Sequence, residues 1–304
     1  DDDPTKRGAR IAGVPVWGPL DLLNDPTTTQ GLTHLIVALP SMRGPRRREV
    51  LEMAAKTGLQ VLTVPSAQEL RDGRDLNRVR DIEPEDLLGR EPVQLDEAGI
   101  GDVLRGKGVL ITGAGGSIGS ELCRQVARYG PAGMVLYELS EFNLYAMEQE
   151  LSMRWPDLRL ECVMGDVKDL AHLRDTMGRS RQQVVFHAAA YKHVPLMEQR
   201  NAAAALRNNA LGTYRAALVA AEVKAERFVL ISADKAVNPT NVMGASKRIA
   251  EIYSQAADNA QGTRFITTRF GNVLGSNGSV IPLFRRQIEN GGPLTVTHPE
   301  VTRY

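Results

Sequence analysis

Two ionisable side chains stand next to each other in Asp234-Lys235, two residues after the mainly apolar run 228–232, which is typical of a strand. A carboxylic acid and an amine held side by side provide an acid and a possible base for one reaction. A lysine acts as a base only when it is neutral, so burial or a nearby positive charge, such as Lys247, must lower its pKa. The alternative interpretation is an ion pair on the surface.

A helix predicted over 242–258 follows this pair. Met243 and Lys247 lie four residues apart at its start, so they share one face of the helix. We predict that the strand end and this helix meet at one catalytic site. Its candidate residues are Ser232, Asp234, Lys235, Met243 and Lys247.

A glycine-rich turn follows the apolar run 109–112 and precedes a predicted helix. Its glycines have the spacing G-x-x-G-x-x-G, and glycine permits both a tight turn and a close approach of the backbone to a pyrophosphate. The start of the helix adds free N–H groups and a partial positive charge. The cofactor-binding candidates in this turn are Gly113, Gly116, Ser117, Ile118 and Gly119.

Further cofactor contacts are predicted at the ends of the next strands. Glu138, which lies 19 residues after Gly119, is placed to bind a ribose 2′-hydroxyl and would repel a 2′-phosphate, which favours NAD over NADP. Asp166 and Val167 are candidates for contact with the adenine, although Asp166 also suits a helix N-cap. The small residues Ala188, Ala189 and Ala190 let a flat cofactor lie close to the sheet, whereas the preceding His187 is interpreted as a core histidine.

The elements that must position these residues alternate regularly from residue 107 onwards. Such alternation predicts an α/β fold with a doubly wound parallel Rossmann sheet, which binds ligands at the carboxyl ends of its strands. We predict strands at 108–112, 134–137, 160–164, 184–187, 228–232 and 265–269, and helices at 117–128, 143–153, 171–177, 202–221 and 242–258.

The first 106 residues form two further regions. A small Rossmann-like α/β domain is predicted over 1–70, with strands at 11–17, 34–39 and 59–64, a helix at 46–57, and its own first strand missing. Residues 71–106 are polar and predict a connector with a helical turn near 84–88. The remaining 107–304 form the cofactor-binding domain with an incomplete substrate region at its end.

Composition excludes several classes of protein. The chain has 304 residues with 37 Lys and Arg against 36 Asp and Glu, and it shows no basic stripe that would indicate nucleic-acid binding. The two cysteines cannot form a disulfide framework, and no cluster has metal-ligand spacing. No apolar run reaches the about 18 residues that span a bilayer.

Four motifs resemble the extended short-chain dehydrogenase/reductases and, within them, the nucleotide-sugar 4,6-dehydratases of the large membrane-attached polysaccharide and capsule family. These motifs are ITGAGGSIG (111–119), HAAAYKHVP (187–195), SADKAVNPTNVMGASKR (232–248) and RFGNVLGSNGSVIP (269–282). The resemblance implies a UDP-N-acetylglucosamine 4,6-dehydratase that uses NAD.

The implied reaction is an internal redox cycle. NAD takes hydride from carbon 4 of the sugar, a base removes the proton at carbon 5, an acid protonates the departing hydroxyl at carbon 6, and hydride returns to carbon 6. By resemblance, Asp234 is the acid, Lys235 is the base at carbon 5, and Lys247 holds the nicotinamide ribose. Retention of configuration at carbon 5 is implied in the same way.

Two residues depart from the wider superfamily. Met243 replaces a tyrosine that would accept a proton, although the large membrane-attached members share this methionine. Ala233 replaces a threonine found in many relatives. The base at carbon 4 therefore stays open among Asp234, Lys235 and an ordered water.

The resemblance also implies a substrate side. Asn209 is expected to steady the backbone of the active site and Asn272 to contact the nucleotide diphosphate. The expected substrate-binding residues are Tyr191, Lys192, His193, Asn272, Ser279, Val280 and Pro282.

Two other functions compete with the dehydratase. A nucleotide-sugar 4-epimerase would need no acid–base pair for carbons 5 and 6, and a non-catalytic NAD-binding scaffold would suit the loss of two hydroxyl groups at positions 233 and 243. We expect a homo-oligomer and a cytoplasmic location, with the parent protein tethered to the inner membrane by a segment absent from this chain. Because both ends of the chain look cut, we also expect it to bind NAD more readily than it turns over substrate.

Overall fold

A computed structural model describes residues 2–39, 44–64, 79–82, 95–258, 262–273, 276, 280–296 and 300. The chain forms two compact units, residues 1–94 and residues 95–301. The candidate site residues all belong to the second unit.

The first unit is a small α/β structure. Strand β3 (His34–Val37) pairs in parallel with β4 (Gln60–Thr63), and β4 pairs in antiparallel fashion with the short β5 (Arg80–Asp81). Helix α1 (Pro26–Thr29) precedes β3, and helix α2 (Gly44–Lys56) connects β3 to β4. The α2 residues that share the buried core with Val37 are Val50, Leu51 and Ala54, and their spacing is that of one helix face.

The predicted strand at 11–17 is wrong. The chain forms instead a hairpin of two short antiparallel strands, β1 (Arg10–Ile11) and β2 (Val14–Pro15). The turn residues Ala12 and Gly13 have φ angles of 50° and 82°. Positive φ at both central residues produces the tight turn of a two-residue hairpin, which an apolar run does not reveal.

Six parallel strands make up the sheet of the second unit, in the spatial order β11-β10-β9-β6-β7-β8. The order reverses between β6 and β9, which are direct neighbours, so a cleft opens there at the carboxyl ends of the strands. This arrangement confirms the predicted doubly wound sheet. The strands are β6 (Gly108–Thr112), β7 (Gly133–Glu138), β8 (Leu160–Met164), β9 (Val184–His187), β10 (Arg227–Ile231) and β11 (Arg264–Thr268).

Both faces of this sheet are buried. Leu110 and Tyr137 pack into one apolar cluster, whereas their neighbours Ile111 and Leu136 pack into another. Successive side chains of a strand point to opposite faces, so uninterrupted apolar runs are what a sheet covered by helices on both faces requires.

The helices begin at capping residues. The Ser140 hydroxyl accepts a hydrogen bond from the Asn143 amide, and the Asp169 carboxylate accepts one from His172. These caps extend the predicted helices at 143–153 and 171–177 by a few residues. The helices of this unit are α3 (Glu97–Leu104), α4 (Ser117–Arg128), α5 (Glu141–Arg154), α6 (Leu170–Ser180), α7 (Val194–Gln199), α8 (Ala202–Ala205), α9 (Gly212–Glu222), α10 (Val242–Asp258) and α11 (Val280–Glu289).

The predicted single helix at 202–221 is interrupted. A π-helical turn, Leu206–Leu211, separates α8 from α9 and contains Asn208 and Asn209, both buried. Such insertions often mark functional sites because they redirect side chains within a helix. The alanine-rich pattern of the segment predicts helix but carries no signal for this change of hydrogen bonding.

Helix α3 was not expected within the connector 71–106. Asp96 caps it by accepting a hydrogen bond from Gly99, and Leu104 is buried. Its two glycines, Gly99 and Gly101, weaken the helical pattern in the sequence. The turn predicted near 84–88 lies outside the described residues.

The packing around Phe228 predicts how much stability its substitution removes. Phe228 is fully buried between the His187 and Phe265 rings, with centroid distances of 5.7 and 5.4 Å. We expect Phe228→Ala to lower the free energy of unfolding by about 3–5 kcal/mol in urea titrations, because a large cavity remains. Phe142→Ala, at a side chain that is 78% exposed, should change it by less than about 0.5 kcal/mol. Equal losses would contradict this packing.

Candidate active site at the carboxyl edge of the sheet

The glycine turn is shaped by contacts that exclude side chains. Gly113 has a φ of 67°, and a Cβ atom there would lie 2.7 Å from the Ala189 nitrogen. A Cβ atom on Gly119 would lie 1.9 Å from the Gly113 oxygen. The turn between β6 and α4 therefore packs directly against the segment that follows β9.

Helix α4 starts at this turn with Ser117 and Ile118. Its N-cap is Gly116, which has no side chain to accept hydrogen bonds from the first amides. Amides at a helix start that lack a side-chain cap are suited to bind an anion. The turn thus fits the pyrophosphate of a dinucleotide.

Glu138 bridges this turn and the next helix. Its Oε2 atom accepts a hydrogen bond from the Gly115 amide and its Oε1 atom accepts one from the Ser140 amide, each at 2.9 Å. A carboxylate has about four lone-pair positions, so further acceptor capacity remains for a ribose hydroxyl. The side chain is nearly buried beside the glycine turn.

Asp166 and Val167 follow β8. Asp166 lines an open cavity of about 540 Å³ together with Lys168 and Arg215. Burial works against the charge of Asp166, but hydrogen bonds from the side chain and the amide of Lys168 outweigh it and lower the pKa of Asp166. The helix N-cap is Asp169, not Asp166. Val167 is buried against the backbone of Gly212.

The residues after β9 continue its pairing with β6. Ala188 donates a backbone hydrogen bond to the Thr112 carbonyl, and Ala189 donates one to the Thr112 hydroxyl. Together with Ala190, these small residues form the floor of the cleft beside the glycine turn.

The Asn209 side chain holds the backbone at Tyr191, the residue that follows the three alanines. It accepts a hydrogen bond from the Tyr191 amide at 2.8 Å and donates one to the Tyr191 carbonyl at 3.0 Å. It also donates to the Ser246 hydroxyl on α10 at 2.9 Å. The π-helical turn thereby fixes the segment after β9 and the start of α10 relative to each other.

His187 is fully buried below the same floor. Its Nδ1 atom lies 2.7 Å from the Thr112 hydroxyl and its Nε2 atom 3.0 Å from the Thr213 hydroxyl. Burial and the positive charge of Lys247 lower the pKa of His187 to about 3. The ring is therefore a neutral link between β6 and α9, in agreement with its interpretation as a core histidine.

Asp234 and Lys235 form an ion pair on the short turn after β10. The Lys235 ammonium lies 2.9 Å from the Asp234 carboxylate and 3.2 Å from the Asn272 amide oxygen. Their side chains are 54% and 35% exposed, so both are accessible to a ligand. A Cβ atom on Gly244 would lie 2.2 Å from the Lys235 carbonyl, so α10 begins directly against this turn.

The other three catalytic candidates are buried. Lys247 donates to the Ile231 carbonyl at 2.8 Å, and burial lowers its pKa to about 8 against the opposing charge of Glu251. Met243 packs in an apolar cluster with Met197 and Ala205. The Ser232 hydroxyl donates to Glu251 at 2.6 Å and so faces that carboxylate.

The expected substrate residues occupy two places. Tyr191, Lys192 and His193 follow β9, and the Lys192 ammonium lies 3.4 Å from the Ser276 hydroxyl. Val280 and Pro282 lie in the first turn of α11. Ser279 lies outside the described residues.

Glu251 was not predicted from the sequence to belong to the site, although it lies four residues after Lys247. The spacing of Met243, Lys247 and Glu251 places all three on one helix face, and all three are buried. A charged residue on the buried face of a helix is the signal that could have found it.

A matched pair of glycine substitutions tests the turn. We expect Gly119→Ala to lower the free energy of unfolding by at least about 1–3 kcal/mol, because its methyl group meets the Gly113 carbonyl. Gly178→Ala in α6, where a Cβ atom meets nothing within 4 Å, should be neutral or stabilising. Urea unfolding measures both, and a tolerated Gly119→Ala would refute the close approach.

The pKa of His187 predicts a pH dependence of stability. Because it lies at about 3 in the folded chain and near 6.5 in the unfolded chain, the unfolded state binds the additional proton between these values. The wild-type chain should lose up to about 1.4 kcal/mol per pH unit through this residue as the pH falls from 6.5 to 5. His187→Gln should flatten that slope in urea titrations, and an unchanged slope would contradict the prediction.

Within the described parts of the chain, no three His, Cys, Asp or Glu side chains are grouped to hold a metal ion. No described helix combines the length and the apolar character needed to cross a membrane.

Comparisons with known proteins agree with this architecture. The capsular polysaccharide biosynthesis protein CapD of Staphylococcus aureus is 45% identical over 310 residues, which is 100% of this chain and 51% of CapD. The inverting UDP-N-acetylglucosamine 4,6-dehydratase of Campylobacter jejuni subsp. jejuni serotype O:23/36 (strain 81-176) is 34% identical over 210 residues, or 66% of this chain and 60% of that protein. The chain spans about half the length of the curated relatives it matches along its whole length.

A solved structure shares the fold of a large part of the chain. The X-ray structure of Pen from Bacillus thuringiensis has a TM-score of 0.61 and 34% identity, and it covers 64% of this chain and 61% of Pen. Residues 109–304 match the family described as polysaccharide biosynthesis protein. The expected resemblance to nucleotide-sugar dehydratases is confirmed, and the chain belongs to this polysaccharide biosynthesis protein family.

Proposed function

We propose that this chain carries the catalytic part of an NAD-dependent UDP-N-acetylglucosamine 4,6-dehydratase in bacterial surface polysaccharide synthesis. The observation that carries the proposal is the position of the Asp234–Lys235 pair. It follows β10, which is separated from β6 by β9 alone, so the pair and the glycine turn share one edge about 10 Å apart. The similarity to the Campylobacter dehydratase supports the same reaction class.

The cleft would hold NAD along this edge. The glycine turn and the start of α4 would bind the pyrophosphate, Glu138 a ribose, and Asp166 with Val167 the adenine. Lys247 would hold the nicotinamide ribose above the alanines that follow β9, with Asn209 fixing that backbone. When bound, NAD supplies the oxidant for carbon 4 and returns the same hydride to carbon 6.

Glu138 is the reason for proposing NAD and not NADP. Its carboxylate is held in place by the Gly115 and Ser140 amides. A 2′-phosphate on the adjacent ribose would meet this fixed negative charge, whereas a 2′-hydroxyl could donate a hydrogen bond to it.

The ion pair provides a balanced route for the protons. Transfer of one proton across the 2.9 Å hydrogen bond from Lys235 to Asp234 produces a neutral amine and a neutral acid. Lys235 then takes the proton from carbon 5 of the ketosugar while Asp234 protonates the hydroxyl that leaves carbon 6 as water. The loss of water returns both groups to the charged pair. Lys235 then gives a proton to carbon 5 as hydride is added to carbon 6, and the proton that the carbon 4 hydroxyl loses on oxidation restores the ammonium, so the cycle consumes no external acid or base.

The remaining residues would bind the UDP-sugar. Asn272, which accepts a hydrogen bond from Lys235, would contact the diphosphate. Tyr191, Lys192 and His193 would line the sugar, and Ser279, Val280 and Pro282 would flank the uracil.

We further propose that the chain self-associates through α9 and α10. Tyr214 and Tyr253 form an edge-to-face contact with a centroid distance of 4.8 Å between these helices. Large apolar side chains around it are exposed, and such clusters favour protein contacts: Leu206, Leu211, Ile249 and Ile252. We propose a cytoplasmic location, with the longer parent protein attached to the membrane.

Solvent deuterium tests the reaction. Incubation of the chain with UDP-N-acetylglucosamine and NAD in D₂O should produce the 4-keto-6-deoxy sugar with deuterium at carbon 5, seen by NMR and mass spectrometry. Retention at carbon 5 is part of the proposal. An unlabelled 4-epimer would show an epimerase instead, and cofactor binding without either product would show a scaffold.

Lys235→Met tests the assigned base. We expect turnover to fall by about 10²–10⁴-fold, because proton removal loses its catalyst. The Kd for NAD, measured by calorimetry, should change by less than about 3-fold, since β9 lies between β10, which precedes Lys235, and β6, which precedes the glycine turn. Lys56→Met on α2 of the other unit is the matched control and should retain full turnover. Retained turnover in Lys235→Met would rule out this base.

A further inference from the structure

Glu251 is a buried carboxylate with a complete set of partners. It lies on α10, one turn after Lys247, and its side chain has no exposed surface. Its Oε1 atom accepts hydrogen bonds from the Ser232 hydroxyl at 2.6 Å and from Arg269 Nε at 2.8 Å. Its Oε2 atom accepts one from Arg269 at 2.6 Å and one from Arg248 at 3.0 Å.

These donors come from different elements of the fold. Ser232 is the first residue after β10, Arg269 is the first residue after β11, and Arg248 lies on α10 itself. The carboxylate therefore joins the carboxyl ends of two neighbouring strands to one helix. Burial opposes its charge, but the hydrogen bonds from Arg269, Ser232 and Arg248 prevail and lower the pKa of Glu251 far below its usual value.

The two strand ends lead directly into the candidate active site. The Ser232 amide donates to the Thr268 carbonyl at 2.8 Å, and the Asp234 amide donates to the Phe270 carbonyl at 3.1 Å. Two residues beyond Phe270, the Asn272 side chain accepts a hydrogen bond from Lys235. The pairing of the two segments thus continues beyond Ser232 and Arg269, the residues that Glu251 binds, as far as Asp234, Lys235 and Asn272.

We propose that Glu251 is a positioning residue that holds the segments 232–236 and 269–272 in register, so that Asp234, Lys235 and Asn272 face one ligand. Its part in catalysis rests on the proposed function, whereas its part in ordering these two segments does not.

The charge of Glu251 is essential to this role. Glutamine has nearly the same shape, but Arg269 donates to both carboxylate oxygens, so in either orientation the NH₂ group would face an Arg269 N–H, a donor against a donor. A buried donor without an acceptor is destabilising, and the Arg269 and Arg248 side chains, each 39% exposed, lose the counter-ion that holds them in place. We therefore expect the two strand ends to separate locally when the carboxylate is lost.

Amide hydrogen exchange of the full chain measures this separation directly. In Glu251→Gln, exchange at 232–236 and 268–272 should accelerate by at least about 10-fold, while exchange at the glycine turn 113–119 stays within about 3-fold of wild type. Unchanged exchange at 232–236 would overturn the proposal. Equal acceleration at 113–119 would also overturn it, since that result indicates general loosening of the fold.

A partly buried ion pair elsewhere in the same unit provides the control. Glu150 accepts two hydrogen bonds from Arg124 between α5 and α4, at 2.7 and 2.9 Å. Glu150→Gln should leave exchange at 232–236 within about 3-fold of wild type. Acceleration there in this control would overturn the assignment to Glu251.

Ser232→Ala keeps the proposal testable if Glu251→Gln does not fold. It removes the link to β10 alone, and exchange at 232–236 should rise by about 3–10-fold while 113–119 stays unchanged. Where both variants fold, the double variant should exchange no faster than Glu251→Gln, because the hydroxyl acts through the carboxylate. Additive effects, or no effect of Ser232→Ala, would overturn the proposal.

Turnover in the deuterium assay separates the two proposals. If the wild-type chain yields labelled product, Glu251→Gln should lower kcat by about 10²-fold, as expected for a misplaced acid–base pair, with the Kd for NAD within about 3-fold. A kcat within 3-fold of wild type would overturn the catalytic part. If the wild-type chain yields no product, the proposed function fails, and the exchange data still decide whether Glu251 orders the two segments.

Discussion

The close contact between the glycine turn after β6 and the segment after β9 is the constraint on which the site depends. Gly113 and Ala189 lie so near each other that neither a side chain nor a shift of the backbone fits between them. β6 and β9 are neighbours in the sheet although β7 and β8 lie between them in the sequence, because the strand order reverses there. This reversal opens the cleft, and the contact sets its floor.

A continuous chain of buried hydrogen bonds supports that floor. It runs from Thr112 through His187 and Thr213 to Asn209, and from Asn209 to the Tyr191 backbone and Ser246. Every member is uncharged, so the chain needs no counter-ion, and satisfied networks of this kind specify one arrangement. On the other side of β10, the charged Glu251 carboxylate binds Ser232 and Arg269 and so joins the ends of β10 and β11. The edge of the sheet is therefore held by a neutral network on one side and an ionic one on the other.

Much of this organisation was predictable because it depends on local patterns. The apolar runs at β6 to β11, the glycine spacing at 113–119 and the acid Glu138 each carry a signal within a few residues, and together they define the sheet and its ligand-binding edge. The place of the Asp234–Lys235 pair after β10 was predictable in the same way, because it follows from the apolar run before it, whereas its chemistry stays a prediction.

The missed features depend on backbone geometry or on partners distant in sequence. The hairpin at β1 and β2 follows from positive φ angles at Ala12 and Gly13, and the π-helical turn at 206–211 follows from a change to i→i+5 hydrogen bonding in an alanine-rich helix. Ser232 was expected to serve catalysis, yet its hydroxyl faces Glu251, 19 residues away. Only the folded chain brings such partners together.

The apolar surroundings of Met243 restrict which residues can replace it. Its thioether fills a socket formed with Met197 and Ala205 and leaves only 3% of the residue accessible. A tyrosine here would need more volume and a partner for its hydroxyl, and filled interiors resist both demands. A tyrosine at position 243 would thus require compensating changes at neighbouring positions, so the methionine is not freely exchangeable.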